Sequence, residues 1–279
     1  MSGPTIAELR RVAQPEHVRS RAAAEHWVAH AYLRQISPYL TRPLLAMGLS
    51  ANQVTWLMIT SAALAALSTA WTGLAGALLA AFLVQLQMLF DCSDGEVARW
   101  RGTSSPVGVY LDRVGHYVAE CGIALALGVR VANGDGLGHS PAVVADGTGW
   151  WAGLLGALAD PALFLGALLA LLVALNKVEN DLVHVSRHYA GMPAMKDVEQ
   201  VRVPSAGAVR TLRRVARLVP FHRVFHSVEL TLLILAAAVI DLVVGGYTAT
   251  EVLLVGLVLA GLVTLVGHLA AVLSSARLR

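Results

Sequence analysis

Charged side chains are scarce in this sequence of 279 residues, where Asp, Glu, Lys and Arg together make up only 14%. Hydrophobic residues account for 56%, and the mean hydropathy is +0.63, so both values lie far from those of a water-soluble globular protein. Two cysteines are too few for a disulfide-stabilised scaffold, and the apolar content excludes an intrinsically disordered chain. The composition therefore predicts an integral membrane protein with several spans.

Six apolar stretches are each long enough to cross a hydrocarbon core of about 30 Å, which takes about 20 helical residues. They are Val54–Trp71, Gly73–Arg99, Val107–Val129, Trp150–Asn176, Phe225–Val244 and Thr250–Ser274. None shows the strict alternation of barrel strands, and lipid admits only helices or closed barrels. We therefore expect an all-α integral membrane protein with six transmembrane helices. Cys92 and Cys121 both fall within these helices, so no disulfide is predicted.

Basic side chains predict how these helices are oriented. All but one of the 21 Lys and Arg residues lie in the terminal regions, around the connection after the second span, or from Lys177 to Arg223. The exception is Arg130, near the end of the third span. Because basic residues concentrate in cytoplasmic loops, both termini are predicted to be cytoplasmic, in a multi-pass protein of the plasma (inner) membrane.

The first fifty residues are predicted to form a cytoplasmic or interfacial region, residues 1–50, ahead of a membrane domain of residues 51–279. Apolar residues recur in this region at spacings of three and four, which predicts an N-terminal amphipathic helix along the membrane interface. These residues are Trp27, Val28, Ala31, Tyr32, Ile36 and Tyr39. A solvated arm is the alternative interpretation.

Acidic side chains are concentrated where the second predicted span ends and the third begins. A carboxylate in hydrocarbon costs at least about 2.5 kcal/mol, so intramembrane acids are candidates for function. With a reversal at Thr103 and about 1.5 Å per residue, Asp94 and Asp112 lie at matching depths, as do Asp91 and His116. Four ligands of this kind favour Mg²⁺, Mn²⁺ or Ca²⁺. The alternative is a helix-end cluster that is paired with arginines, namely Arg99, Arg101 and Arg113.

The same segment resembles the signature of the CDP-alcohol phosphotransferases. That signature reads D-x-x-D-G-x-x-A-R, eight residues, G, three residues, D, three residues, D. Its first seven fixed positions are matched by Asp91, Asp94, Gly95, Ala98, Arg99, Gly108 and Asp112. The segment Ala51–Thr55, which reads ANQVT, also resembles the P-N-x-x-T element that often opens the first helix of this family.

The resemblance implies a reaction in which an acceptor hydroxyl attacks the β-phosphorus of a CDP-linked alcohol, often CDP-diacylglycerol, and CMP is released. It also implies that Mg²⁺ or Mn²⁺ is held by the aspartates. Within the membrane domain, the implied metal ligands are Asp91, Asp94, Asp112 and His116. The implied nucleotide-binding residues are these three aspartates together with Asn52, Gly95, Ala98, Arg99 and Gly108.

His116 departs from the family pattern, because it stands where the last aspartate is expected to serve as general base. Three interpretations follow. In the first, His116 is the base, since its ordinary pKa suits proton abstraction near neutrality, and Glu120 fixes the imidazole as a second catalytic residue. In the second, His116 is a neutral metal ligand. In the third, the site has lost catalysis and retains nucleotide or lipid binding.

A second polar cluster is a candidate for binding an anionic acceptor. His222, His226 and Glu229 share a helix face through their spacing. On the continuation of the fourth predicted span, a basic stripe is formed by Lys177, Asn180, His184 and Arg187. Arg223 adds a further cation, so the predicted acceptor-binding residues are Lys177, Arg187, His222, Arg223 and His226. The alternative is that these side chains anchor the helix ends at the membrane interface.

These observations favour a metal-dependent membrane transferase of phospholipid biosynthesis. The main alternative is a catalytically altered or inactive homologue that binds nucleotide or lipid. An ion- or proton-coupled transporter is disfavoured, because the acids gather at one end of the membrane. The expected partners are the CDP-linked donor, a hydroxyl acceptor and the lipid bilayer, with no nucleic acid. Homodimerisation is implied by the family resemblance alone.

Overall fold

The computed structural model describes residues 4–16, 27–134, 136–137, 160–192 and 221–274. Regular secondary structure in these residues is entirely helical. In chain order the α-helices are α1 (Ile6–Ala13), α2 (Arg34–Ala46), α3 (Ala51–Thr69), α4 (Gly73–Arg101), α5 (Pro106–Asn133), α6 (Pro161–Tyr189), α7 (Ser227–Val244) and α8 (Thr248–Ser274). A π-helical segment, Ala29–Leu33, leads into α2, and a 3-10 helix, Phe221–Phe225, precedes α7.

Five of the described helices, α4 to α8, are long and apolar enough to cross a membrane. The prediction of an all-α membrane protein is therefore confirmed. The first predicted span corresponds to α3, which has 19 residues but lies outside that set. Its first turns carry Asn52, Gln53 and Thr55, whose polar side chains lower the mean hydropathy, so a sixth span stays a prediction.

Helix α6 differs most from its predicted bounds. The apolar run predicted a span over Trp150–Asn176, whereas the helix begins at Pro161 and continues to Tyr189. Residues 150–159 lie outside the described part of the chain. Asp160 caps the start by accepting hydrogen bonds from the Ala162 and Leu163 amides at 2.8 and 3.1 Å. At the other end the helix continues past Asn176 through polar residues, in agreement with the basic stripe predicted on the continuation of this span.

The chain divides into two compact units. The first comprises Met1–Leu64 and Phe82–Ala119, and the second comprises Ala65–Ala81 and Glu120–Arg279. Helices α3, α4 and α5 each contribute residues to both units. The predicted division at residue 50 separates an interfacial region from a membrane domain, not two compact units, and it stays a prediction.

The N-terminal part of the first unit is built from α1 and α2. Thr5 and Glu8 form a capping box at the start of α1, in which each side chain accepts from the other residue's backbone amide. These hydrogen bonds lower the pKa of the Glu8 carboxyl group. Leu9 and Ala13 are fully buried, so one face of this short helix packs against the protein.

The predicted amphipathic helix is present as the π-helical segment followed by α2. Its apolar residues divide between two faces, because Val28 and Leu33 are buried whereas Trp27, Ile36 and Tyr39 are exposed. One face therefore packs against the protein. The exposed aromatic face suits a membrane interface, where Trp and Tyr are enriched, and its location there stays a prediction.

Arg130 in the second unit has a structural role in addition to its place in the charge pattern. Its side chain is buried, and its guanidinium donates hydrogen bonds to the carbonyls of Trp71 and Gly73. Those carbonyls belong to the connection between α3 and α4, where Gly73 adopts a φ of +81°. The side chain of Arg130 on α5 therefore stabilises the short connection between α3 and α4.

Candidate active site

A short turn brings the two helices of the signature together. Gly102 ends α4 with a φ of +64°, a left-handed conformation that glycine adopts without strain. The Gly102 and Thr103 amides donate back to carbonyls of the last turn of α4 at 3.3 and 2.9 Å. Ser105 then accepts from the Gly108 amide at 3.1 Å, and Pro106 opens α5. The reversal predicted at Thr103 is therefore confirmed.

Three of the four predicted ligands meet in one cluster. Asp91 comes from α4, while Asp112 and His116 lie one turn apart on α5. His116 Nε2 is 3.5 Å from Asp91 Oδ1 and 3.7 Å from Asp112 Oδ1. One ligand atom from each of the three residues lies within 4.8 Å of the others. The carboxyl groups of Asp91 and Asp112 are also close enough to interact electrostatically.

This cluster has the donor set that a hard divalent cation prefers. Asp112 Oδ1 is buried and has no hydrogen-bond donor among the described residues, although buried acceptors are normally satisfied. Two adjacent carboxylates also repel each other unless a proton or a cation lies between them. Carboxylate oxygens beside one imidazole nitrogen fit Mg²⁺ or Mn²⁺. The residues present thus fit a metal at this point.

Asp94 lies outside the cluster of three. Its side chain is buried, and its Oδ2 accepts a hydrogen bond from the Thr55 hydroxyl at 2.6 Å. It remains near enough to Asp91 and Asp112 for electrostatic interaction. The predicted convergence of four ligands therefore holds for three residues, and the fourth is fixed by α3.

Thr55 was not assigned a role from the sequence, although the ANQVT segment contains it. Its side chain is buried, and its hydroxyl also lies 3.1 Å from the Ala51 carbonyl of its own helix. The signal that could have identified it is the threonine at the end of the P-N-x-x-T element. Thr55 thus ties the start of α3 to an aspartate of the signature.

Two glycines of the signature leave space for polar side chains. A Cβ added at Gly95 would lie 3.1 and 3.3 Å from the two terminal nitrogens of Arg99, so the guanidinium packs over this glycine. A Cβ added at Gly108 would lie 3.4 Å from Asn52 Oδ1. The predicted nucleotide-binding residues therefore form two pairs, one on α4 and one between α3 and α5. Ala98, on the next turn of α4 after Gly95, is partly buried.

Glu120 has a different neighbour from the one expected. It is almost fully buried, and its Oε2 accepts a hydrogen bond from Lys177 Nζ at 2.8 Å. Both residues belong to the second unit, whereas His116 belongs to the first. The predicted hydrogen bond between Glu120 and His116 therefore stays a prediction, and Lys177 is occupied by a carboxylate.

The remaining acceptor candidates are placed separately along the second unit. Arg187 is half-buried near the end of α6, while Asn180 and His184 are exposed on the same helix. Arg223 lies in the 3-10 helix, and His226 is the N-terminal cap residue of α7. The side chain of His222 lies outside the described part of the structure. Their predicted gathering around an acceptor stays a prediction.

Comparison with known proteins agrees with the signature and its geometry. Residues 48–275 match the model of the CDP-alcohol phosphatidyltransferase family. No curated protein matches the chain significantly. The family transfers a phosphoryl group from a CDP-alcohol and uses a divalent metal. Because the match covers most of the chain, this protein is a member of the CDP-alcohol phosphatidyltransferase family.

Proposed function

We propose that this protein transfers a phosphatidyl group from CDP-diacylglycerol to the hydroxyl of a polar acceptor in phospholipid biosynthesis. The observation that carries the proposal is the cluster of Asp91, Asp112 and His116 within the family signature. A lipid-linked donor suits a polar cluster on long apolar helices, because its acyl chains partition into lipid while its nucleotide requires polar contacts. We place the protein in the plasma (inner) membrane with both termini cytoplasmic, as a homodimer.

The donor nucleotide is assigned to the residues around the two signature glycines. Arg99 supplies a cation that complements the diphosphate, and Asn52 supplies an amide that pairs with polar groups of the nucleotide. Gly95, Ala98 and Gly108 keep the intervening space free of bulky side chains. Asp91, Asp94 and Asp112 border the same region from α4 and α5.

Asp91 and Asp112 would hold Mg²⁺ or Mn²⁺, with Asp94 as a further candidate ligand, and His116 would be a ligand only if it is not the base. When bound, the ion supplies positive charge that neutralises the diphosphate and stabilises the departing CMP. The carboxylates of this chain also orient His116, since its Nε2 lies close to one oxygen of each. The protein's own contribution is therefore to hold the imidazole and the donor in a fixed relation.

His116 is assigned as the general base of the transfer. Its imidazole accepts the proton of the acceptor hydroxyl as the oxygen forms a bond to the β-phosphorus of the donor. The bond from that phosphorus to the bridging oxygen breaks, and the electron pair leaves with CMP. The products are a phosphodiester lipid and CMP, and the proton is later released to water. In the alternative, Nε2 is a neutral metal ligand, which the same distances also allow, and another group then accepts the proton.

Cations of the second unit are assigned to the acceptor. Arg187, Arg223 and His226 are the candidates for a phosphorylated or otherwise anionic alcohol, together with His222. Lys177 is a further acceptor candidate, and its ammonium group also forms an ion pair with Glu120. An anionic acceptor explains why basic residues continue from Lys177 to Arg223.

The test is product identification with the purified protein. It is incubated with CDP-diacylglycerol, Mn²⁺ or Mg²⁺, and a panel of polar alcohols and their phosphates, and the lipid product is identified by mass. The proposal predicts one new phosphodiester lipid with an equal amount of CMP. Binding of CDP without any CMP release across the panel would instead support the inactive homologue.

A further inference from the structure

Glu96 is a fully buried carboxylate inside the signature, at one of its variable positions. Both of its oxygens accept hydrogen bonds. Oε1 accepts from Gln14 Nε2 at 2.7 Å and from the Ser37 hydroxyl, and Oε2 accepts from the Thr41 hydroxyl at 2.6 Å. A buried carboxylate is costly unless it is satisfied in this way. Glu96 is therefore held by a dedicated set of donors.

All three donors come from the N-terminal segment, defined as the described residues 4–16 and 27–41. This segment precedes residue 48, where the match to the family begins. Gln14, Ser37 and Thr41 are themselves buried, and Gln14 Nε2 also donates to the Arg34 carbonyl at 2.7 Å. The N-terminal segment is thus docked on the signature through polar contacts rather than through an apolar surface alone.

The same segment also contacts the arginine of the signature. Arg99 lies three residues after Glu96 on α4, and its Nε donates a hydrogen bond to the Ala13 carbonyl. Glu96 attracts the Arg99 guanidinium electrostatically, whereas the nearby Arg34 repels it. The Ala13 bond fixes the plane of the guanidinium, whose terminal nitrogens lie over Gly95. Glu96 and Ala13 together set the position of the Arg99 cation.

We propose that Glu96 is a positioning residue for Arg99, and that the N-terminal segment is an integral part of the donor-binding half of the site. The inference rests on the proposed function, in which Arg99 binds the donor diphosphate. A carboxylate held by three donors fixes its charge beside Arg99. Without the hydrogen bond from Gln14 to Glu96, the chain at Ala13 is released, and its carbonyl no longer holds the guanidinium at the position that meets the diphosphate.

The experiment measures CDP binding and CMP release for two variants of the full chain, Glu96→Gln and Gln14→Ala. We expect the CDP dissociation constant and the donor KM to rise about tenfold in Glu96→Gln, because the weaker hydrogen bonds to its three donors no longer fix the position of Arg99. The acceptor KM stays within about twofold of the wild type, since Arg99 is assigned to the donor. Gln14→Ala shows the same pattern with a smaller rise. Glu251→Gln, the same change at a carboxylate of the second unit, is the matched control.

Hydrogen exchange of α1 separates positioning from simple docking. We expect the amides of α1 to exchange faster in Glu96→Gln and Gln14→Ala, in parallel with the weaker CDP binding. Faster exchange with unchanged CDP affinity and donor KM shows that the segment is only structural, and the inference is then wrong. A fall in kcat with donor KM unchanged also overturns it. If the wild type neither binds CDP nor releases CMP, the proposed function itself fails, which is a separate result.

Discussion

Lys177 Nζ donates a hydrogen bond to Glu120 Oε2 at 2.8 Å, so α5 and α6 are joined by an ion pair in which the carboxylate is almost fully buried. The sequence spacing had instead predicted that Glu120 serves His116, one turn away on its own helix. A lysine is the stronger partner for a buried carboxylate, because it carries a full opposite charge whereas a neutral imidazole carries none.

The pair predicts how substitutions at these two positions combine. Lys177→Met leaves the Glu120 carboxylate buried without its counter-charge, so we expect a loss of about 3 kcal/mol of stability. The double variant Lys177→Met/Glu120→Gln recovers most of that loss. Thermal unfolding in detergent, followed by tryptophan fluorescence, measures both effects. Because Lys177 is also an acceptor candidate, the acceptor KM is expected to rise in Lys177→Met and to stay raised in the double variant. Unchanged stability of Lys177→Met contradicts the role of the ion pair.

The cluster of Asp91, Asp112 and His116 predicts that the activity depends on a divalent metal. We expect a chelator to abolish CMP release by removing divalent ions, and we expect added Mn²⁺ or Mg²⁺ to restore it. Asp112→Asn removes one carboxylate ligand, so the metal concentration at half-maximal rate rises at least about tenfold. Glu16→Gln, a change at an exposed carboxylate, leaves that concentration unchanged. An unchanged metal requirement in Asp112→Asn contradicts the assignment of Asp112 as a ligand.

The glycine beside Arg99 gives a steric prediction. A methyl group at position 95 would lie 3.1 Å from one Arg99 nitrogen, which is closer than most real Cβ contacts, so the guanidinium shifts. Gly95→Ala is therefore expected to raise the donor KM about tenfold through loss of a charge-assisted contact. Gly256→Ala is the matched control, because a Cβ there meets nothing within 4 Å. Equal donor KM values for the two variants exclude this role for Gly95.

Much of the fold and of the cluster of Asp91, Asp112 and His116 could be predicted, because apolar runs and residue spacing are local features of the sequence. Apolar runs indicate the helices. The positions of these three residues on either side of the reversal at Thr103 predict that they lie close together. In α6, hydropathy indicates the apolar run, and the basic stripe indicates that the helix continues beyond that run, but neither signal gives its end at Tyr189. Periodicity identifies which residues share a helix face, but it does not predict where a helix ends once its residues become polar.

The N-terminal contacts could not be predicted for a different physical reason. Gln14 and Glu96 are separated by 82 positions, and their hydrogen bond depends on tertiary packing rather than on any repeat in the sequence. Ser37 and Thr41 share a face of α2 through their spacing, yet small hydroxyl side chains carry no signal for a distant partner. Glu120 and Lys177, 57 positions apart, were missed for the same reason.

The most direct test of the account is CMP release from CDP-diacylglycerol by two variants at the position where the family has aspartate. His116→Ala removes the proposed base, so we expect kcat to fall on the order of 100-fold or more while CDP affinity stays near that of the wild type. His116→Asp restores a carboxylate base and retains most of the activity. A rate that is unchanged in His116→Ala contradicts the central claim that His116 accepts the proton of the acceptor hydroxyl.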